Sequence, residues 1–335
     1  MVVDAARSEP LLEVEDLSVE FRTRDGVVHA VNGVSYAVRR GETFAVLGES
    51  GSGKSVSAQA VMGILDTPPA YVTGGVIRFA GQDLLALDEQ QRRMLRGERI
   101  AMVFQDALTA LNPVFTVGWQ IGEMFRIHRG CSRAEARREA ARLLDRVGIP
   151  GAADRLGDFP HEFSGGMRQR VMIAMALALE PEVLIADEPT TALDVTVQAQ
   201  ILELLAELQA DNGMALVLIT HDLGVVAEVA DRIAVMYAGR VVETADAGRL
   251  FRAPAHPYTE GLLASVPRVS TRAERLEPIG GAPPNLARIP PGCSFHPRCH
   301  RRRLVCRTDD PPLYRVEAGR LSACHFFEEV LDERG

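Results

Sequence analysis

Gly48-Glu49-Ser50-Gly51-Ser52-Gly53-Lys54-Ser55 fits the pattern G-x-x-x-x-G-K-[ST], a loop whose backbone N–H groups cradle phosphates. Phe44-Ala45-Val46-Leu47 runs into it as an apolar segment, the pattern of a buried parallel strand. Val56 to Leu65 follows as a helix, stopped by Pro68-Pro69. The glycines let backbone approach a ligand, and the helix N-terminus adds positive potential. A chance glycine-serine turn accounts poorly for strand, loop and helix in this order. Lys54 is the sole lysine among the 37 lysines and arginines. A compact ammonium and a planar guanidinium are not interchangeable between phosphate oxygens. In this chemistry Lys54 bridges the β- and γ-phosphates and the Ser55 hydroxyl takes Mg2+. Gly48, Ser50, Gly51, Ser52, Gly53 and Val56 complete the expected contact.

Composition limits what such a phosphate binder can be. The chain has 335 residues, 47% hydrophobic and 24% charged, which is ordinary for a globular protein with more than one compact unit. A net charge of −8 argues against a duplex-binding protein, and no nucleic acid is expected. Met1 to Pro10 has no apolar run and reads as no signal peptide. The longest apolar run, Val171 to Leu179, is too short to span a membrane, so a cytosolic location is expected. With five cysteines in a reducing compartment, thiols or metal ligands are expected rather than disulfides. A guanine reader needs an Asn-Lys-x-Asp motif, and no second lysine exists to supply it.

Taken in order, residues 11–47 read as short strands, with alternation in Leu12-Glu13-Val14-Glu15 and Ser18-Val19-Glu20-Phe21 and a turn at Arg24-Asp25-Gly26. Val76–Phe79 and Ile100–Phe104 return to strand. Residues 106–180 read as a helical insertion. Within it Ser132 and Glu135 form a capping box ahead of an apolar stripe of Ala136, Ala140, Leu143, Leu144 and Val147. A second helix opens at Ser164 and runs through Leu179. Val183–Ala186 is a strand ending at Asp187-Glu188, Val195–Gln209 a helix, and Ala215–Ile219 a strand ending at Thr220-His221. Ile233–Met236 and Arg240–Val242 flank a turn, and residues 278–291 form a linker or extended arm. Strands alternating with helices predict an α/β fold with a mainly parallel sheet, its ligands at strand C-termini.

Asp187 follows four apolar residues, the place of an acidic Mg2+ ligand in phosphate-loop enzymes. Glu188 beside it is the natural general base for an attacking water. Phe163-Ser164-Gly165-Gly166-Met167-Arg168-Gln169-Arg170 sets two glycines and a capping serine at a helix start, a second anion site. Ser164-Gly165-Gly166 resembles the signature motif of ABC-type ATPases, and the rest of that family's set stands in order. Gln105 matches the Q-loop, Ala192-Leu193-Asp194 the D-loop, His221 the switch histidine and Phe21 the aromatic that stacks on adenine. The resemblance covers roughly residues 11–250 and departs from Leu-Ser-Gly-Gly-Gln at Phe163 and Met167. It implies a phosphate-loop core with an N-terminal antiparallel β subdomain and an inserted helical subdomain. It also implies a head-to-tail dimer with ATP between the Lys54 loop of one subunit and Ser164–Gly166 of the other. Glu188, His221 and Gln105 are then catalytic, Mg2+ is held by Ser55, Gln105 and Asp187, and Asp194 belongs to the D-loop.

Pro254-Ala255-His256-Pro257-Tyr258-Thr259 and the segment after it resemble the peptide-importer branch of the family, which serves oligopeptide, dipeptide and nickel uptake. That resemblance implies an ATPase domain over 1–255 and an extension over 256–335. The implied partners are a paralogous ATPase subunit, two transmembrane permease subunits and an extracytoplasmic peptide-binding protein, at the cytoplasmic face of the membrane. Cys293, Cys299, Cys306 and Cys324 lack the tight C-x2-C pair of a zinc ribbon. Four thiolates suit a [4Fe–4S] cluster, which the resemblance also implies, and Arg298, Arg301, Arg302, Arg303 and Arg307 suit an anion. The alternatives are Zn2+, with His296, His300 or His325 sharing the site, and unligated thiols. Two rival functions stay open: an importer of nickel or another small solute, and a soluble ABC ATPase of DNA repair or translation. The rival soluble classes carry a very long coiled-coil insertion or two cassettes, and this chain has neither.

Overall fold

The computed structural model describes residues 9–191, 193–265 and 279–332. The chain divides into two compact units. One comprises Pro10–Val38, Thr43–Leu85 and Thr220–Gly335; the other includes Arg39–Glu42 and Ala86–Ile219.

The first unit begins with β1 (Leu12–Thr23), β2 (Gly26–Val38), β3 (Thr43–Leu47), α1 (Lys54–Met62), β4 (Ala70–Phe79) and β5 (Gln82–Asp83). β2, β1, β4 and β5 pair in that order as an antiparallel sheet. The two alternating runs expected at 12–15 and 18–21 are one strand. Leu12 and Val14 are buried, then Leu17 and Val19, so the buried parity changes between them. The extra residue is absorbed by a bulge at Asp16, where φ is 49°. Gly75 faces the bulge from β4, and a Cβ there would lie 2.5 Å from the Glu15 carbonyl. Helix α1 ends at Met62 rather than Leu65, because Gly63 takes the left-handed conformation at its C-cap.

The second unit carries α2 (Glu89–Leu95), β6 (Ile100–Val103), α3 (Ala107–Ala110), α4 (Val117–His128), α5 (Arg133–Arg146), α6 (Gly165–Leu177), β7 (Val183–Asp187), α7 (Val195–Asn212) and β8 (Ala215–Thr220) up to Ile219. β6, β7 and β8 are parallel neighbours. β7 is buried along its whole length, as its unbroken apolar run predicts. β6 stops one residue early, leaving Phe104 39% exposed. The capping box at Ser132 is present, and the whole stripe from Ala136 to Val147 is buried.

Back in the first unit follow α8 (Leu223–Val229), β9 (Arg232–Tyr237), β10 (Arg240–Asp246), α9 (Ala247–Arg252), α10 (Pro257–Ala264), α11 (Val305–Thr308), β11 (Tyr314–Glu317), β12 (Arg320–Ser322) and α12 (Phe327–Asp332). β3 lies parallel to β9, and β10 antiparallel to it. The hairpin β11–β12, absent from the sequence reading, adds to β10. A buried ion pair backs the backbone ladder there. Glu243 of β10 is fully buried, and its carboxylate accepts from Arg320 of β12 at 3.4 Å and from the N–H groups of Ala255 and His256 at 2.7 and 3.0 Å. Burial pushes the Glu243 carboxyl up, and the Ala255 N–H, the Thr259 hydroxyl and Arg320 oppose it. Beside the pair, Tyr237, Tyr258 and Phe295 form one aromatic cluster.

Candidate functional site

The loop Gly48–Ser55 leaves the end of β3 and enters α1. Its glycines are dictated by close walls of backbone. A Cβ on Gly48 would sit 2.3 Å from the Met236 carbonyl, and one on Gly53 2.3 Å from that of Ala30. Gly53 also has φ 98°, which disfavours any other residue. The N-terminus of α1 has no side-chain cap and no acidic residue in its first turn, whereas α2, α4, α5 and α7 are all capped by Asp, Thr or Ser. That leaves its positive end open to an outside anion. The Ser52 hydroxyl is buried with no hydrogen-bond partner among the described residues. Lys54 is 4% exposed, and its ammonium donates to the carbonyls of Gly48 at 2.8 Å and Glu49 at 3.0 Å. Ser50 and Gly51 lie exposed at the loop's turn, and Ser55 and Val56 are half-buried in the first turn of α1. An uncapped helix end, an orphaned hydroxyl and a lysine folded on the loop's own carbonyls together suit a polyphosphate with Mg2+. In this unit Phe21 is half-buried on β1, opposite Val28 and Ala70, and His221 is exposed directly after β8.

In the second unit Asp187 ends β7 and is 4% exposed. Glu188 follows with φ 44°, a left-handed backbone for a non-glycine residue. Its carboxylate accepts from Gln105 Nε2 at 3.0 Å and from Thr191 Oγ1 at 2.9 Å. The Glu188 N–H donates to the Ile219 carbonyl at 2.8 Å. Strain and three hydrogen bonds therefore aim one carboxylate. Gln105, expected beside Mg2+, is bonded here to the expected base. Thr191 was not singled out by the sequence, although a hydroxyl three residues after a carboxylate was the available signal.

The signature segment opens α6. Ser164 caps it by accepting from the Met167 N–H at 3.3 Å, and Ser164 and Gly165 are exposed. Its two glycines differ in cause. A Cβ on Gly166 would press to 2.6 Å from Val197 Cγ1, whereas one on Gly165 would meet only Leu193 Cδ2 at 3.8 Å. Gly166 is thus required by packing on α7; nothing among the described residues requires Gly165. Gly165→Ala should keep the melting temperature within about 2 °C and lower ATP turnover severalfold. Gly166→Ala should cost about 1–3 kcal/mol by overpacking. Thermal melts and phosphate release check the pair, and equal thermal loss from both would refute the distinction. Asp194 caps α7, accepting from the Val197 N–H at 3.0 Å; Ala192 lies outside the described residues.

Cys293, Cys299, Cys306 and Cys324 all line one small cavity of about 20 Å³, with Phe295 and Phe326. Burial pushes the Cys293 thiol up to about 11 and Cys324 to about 12, and the neighbouring sulfurs add to this. The Phe326 N–H donates to Cys324 Sγ at 3.4 Å, a contact that suits a ligated sulfur. The expected metal site is otherwise not supported. Among the described residues no three His, Cys, Asp or Glu are grouped so as to hold a metal ion. His325, weighed as a zinc ligand, has both ring nitrogens engaged, with Tyr314 Oη at 3.1 Å and the Asp309 carbonyl at 3.0 Å. The arginine run also finds other partners: Arg298 pairs with Glu49, Arg301 with Glu260 and Arg303 with Glu329.

Comparison with known proteins fits this geometry. Residues 31–191 match the ABC transporter family, and residues 242–306 match the oligopeptide/dipeptide transporter C-terminal region. The dipeptide transport ATP-binding protein of Bacillus subtilis is 54% identical over 89% of each chain. The Escherichia coli dipeptide transport ATP-binding protein is 51% identical, covering 97% of this chain and 98% of its own. The oligopeptide transport ATP-binding protein of Salmonella typhimurium is 52% identical, over 94% and 93%. Among solved structures, a dimeric ATP-binding cassette in a post-hydrolysis state with ADP and phosphate superposes with TM-score 0.64 at 27% identity, covering 70% of this chain and 98% of that one. On these grounds the chain belongs to the ABC transporter ATP-binding proteins, ATPases of phosphate-loop fold, in the branch with the oligopeptide/dipeptide C-terminal region.

Proposed function

We propose that this chain is one nucleotide-binding subunit of a peptide importer, acting at the cytoplasmic face of the membrane. The observation that carries the reading is the presence in one chain of the ATPase family match and the peptide-transporter C-terminal region. Residues 1–255 form the ATPase domain in this reading, with the helical subdomain at about 106–180, and residues 256–335 its extension. Among the described residues no helix is long and apolar enough to cross a membrane, so the membrane is reached through permease partners. Leu108, Val114, Phe115 and Trp119 offer a place for them: they are 61%, 70%, 38% and 40% exposed, and the last two rings stack at 4.1 Å. Exposed apolar side chains gathered in one short stretch mark an interaction surface.

Mg-ATP supplies the phosphoryl chemistry. Lys54 and the loop N–H groups hold the phosphates, and Phe21 stacks on the base. Ser55, Asp187 and Gln105 would hold Mg2+, which would neutralise phosphate charge; Glu188 would take the proton of the attacking water and His221 would fix the γ-phosphate. A paralogous partner subunit would close over this nucleotide with its own signature segment, as Ser164–Gly166 of this chain would close over the partner's, with Asp194 beside that junction. The four tail thiols are proposed as the donors that would hold a [4Fe–4S] cluster, on their chemistry and their shared cavity. One preparation tests the assembly and the cluster together. Anaerobic co-purification should bring down two membrane subunits and a second ATPase, and the tail should carry iron and acid-labile sulfide. A soluble homodimer active alone would refute the importer; stoichiometric zinc without iron, or no metal, would refute the cluster.

A further inference from the structure

Glu49 is the second residue of the phosphate loop, and it is held from the C-terminal extension at two points. Its carboxylate is forked by Arg298, Nη1 to Oε2 at 2.7 Å and Nη2 to Oε1 at 3.0 Å. Its N–H donates to the Tyr258 hydroxyl at 3.1 Å. All these residues lie in one compact unit. The Arg298 side chain is only 6% exposed. Each of its nitrogens has an acceptor: Nε donates to the Gly280 carbonyl at 3.1 Å, Nη2 also to that of Ile279 at 3.4 Å, and Nη1 also to Tyr237 Oη at 3.5 Å. A bidentate, charge-assisted contact of this kind fixes geometry as well as energy.

Tyr258 is fixed just as firmly. The Glu243 carboxylate holds the N–H groups of Ala255 and His256, and His256 Nδ1 accepts the Tyr258 N–H at 3.0 Å. His256 is fully buried and burial lowers it to about 3, so it stays a neutral acceptor. Pro257 then starts α10, and the Tyr258 ring lies buried between Tyr237 and Phe295. The Pro-Ala-His-Pro-Tyr stretch therefore delivers one hydroxyl to the loop. The four-cysteine segment delivers one guanidinium, since Arg298 directly precedes Cys299.

We propose that Arg298 and Tyr258 are positioning residues for the phosphate loop, holding Glu49 so that the loop is already shaped for the phosphates of ATP. The C-terminal extension then belongs to the nucleotide site. The inference rests on Gly48–Ser55 being the ATP loop, and the test separates the two. Binding of a fluorescent ATP analogue and ATP turnover are measured on the full chain for Arg298→Ala, Arg298→Lys, Glu49→Ala, the Arg298→Ala/Glu49→Ala pair, Tyr258→Phe and Lys54→Ala. Loss of a charge-assisted fork should raise the Kd of Arg298→Ala by roughly tenfold. KM should rise in parallel and kcat should change much less. Arg298→Lys should recover only part, because one ammonium cannot serve both oxygens and the two carbonyls. The double variant should be no weaker than the worse single one. Tyr258→Phe, which removes one hydroxyl and keeps the buried ring, should raise Kd by about threefold, and it answers the question if Arg298→Ala fails to fold. Lower melting temperatures with Kd unchanged within twofold in Arg298→Ala and Tyr258→Phe would overturn the proposal. Unchanged binding in Lys54→Ala would instead overturn the loop reading.

Discussion

Glu188→Gln stops ATP turnover and leaves an ATP-loaded dimer. The expected loss is roughly 10²–10⁴ in kcat, the usual worth of a general base. The geometry makes this a clean substitution. Glutamine keeps the shape of the side chain, and its amide oxygen can still accept from Thr191 Oγ1, which donates to the carboxylate at 2.9 Å. The left-handed backbone at φ 44° is fixed by the turn and by the N–H bond to Ile219 at 2.8 Å, neither of which the amide alters. What disappears is the ability to take a proton from water. In the proposed reading nucleotide binding rests on the Lys54 loop, so it should remain intact and the cycle should stall after closure. Phosphate release measures the first effect. Sizing in Mg-ATP with quantification of retained nucleotide measures the second. Unchanged steady-state turnover in the assembled complex would remove Glu188 from the role of base.

The parts of this site written into contiguous sequence were legible. Phe44–Leu47, the glycine loop and the helix after it needed only local pattern, and the structure places β3 and α1 there. The place of Asp187 and Glu188 at a strand end was legible because a fully buried strand announces its own end. Where two local patterns compete, the reading blurred. The two alternating runs in β1 differ in parity, and only the partner strands reveal a bulge that joins them. The hairpin β11–β12 was missed for a different reason. Its anchor is Arg320, an arginine 4% exposed, and charge in a short strand signals solvent until a buried partner such as Glu243 is known. Long-range pairing hid the loop's support as well. Glu49 filled an unspecified position of the motif, and Arg298, 249 residues away, belonged to a run that suggested an anionic cluster. Thr191 and Gln105 illustrate the same limit from opposite directions: both meet at one carboxylate, and only one of them was suspected.

Lys54→Arg keeps the charge and should still lose the nucleotide. The expected fall in kcat/KM is roughly 10²–10³, the cost of removing one preorganised donor from a developing anion. The site's walls explain why charge alone does not suffice. Lys54 is 4% exposed, and its ammonium sits against the Gly48 and Glu49 carbonyls at 2.8 and 3.0 Å. The loop cannot widen to take a planar guanidinium, since Gly48 and Gly53 already lie where a Cβ would come within 2.3 Å of fixed backbone carbonyls. A guanidinium also presents five donors in a rigid fork, whereas the ammonium rotates three about one point. On resting, that point charge serves two loop carbonyls; on binding, it can turn to phosphate oxygens without moving the backbone. Composition sharpens the expectation, because this chain uses arginine for every other lysine-type charge. The substitution is measured by ATP-analogue titration and phosphate release, with a thermal melt to show that the fold survives. An arginine variant that binds ATP within a fewfold of the original chain would show that the loop needs only a positive charge, and that the lone lysine carries no geometric meaning.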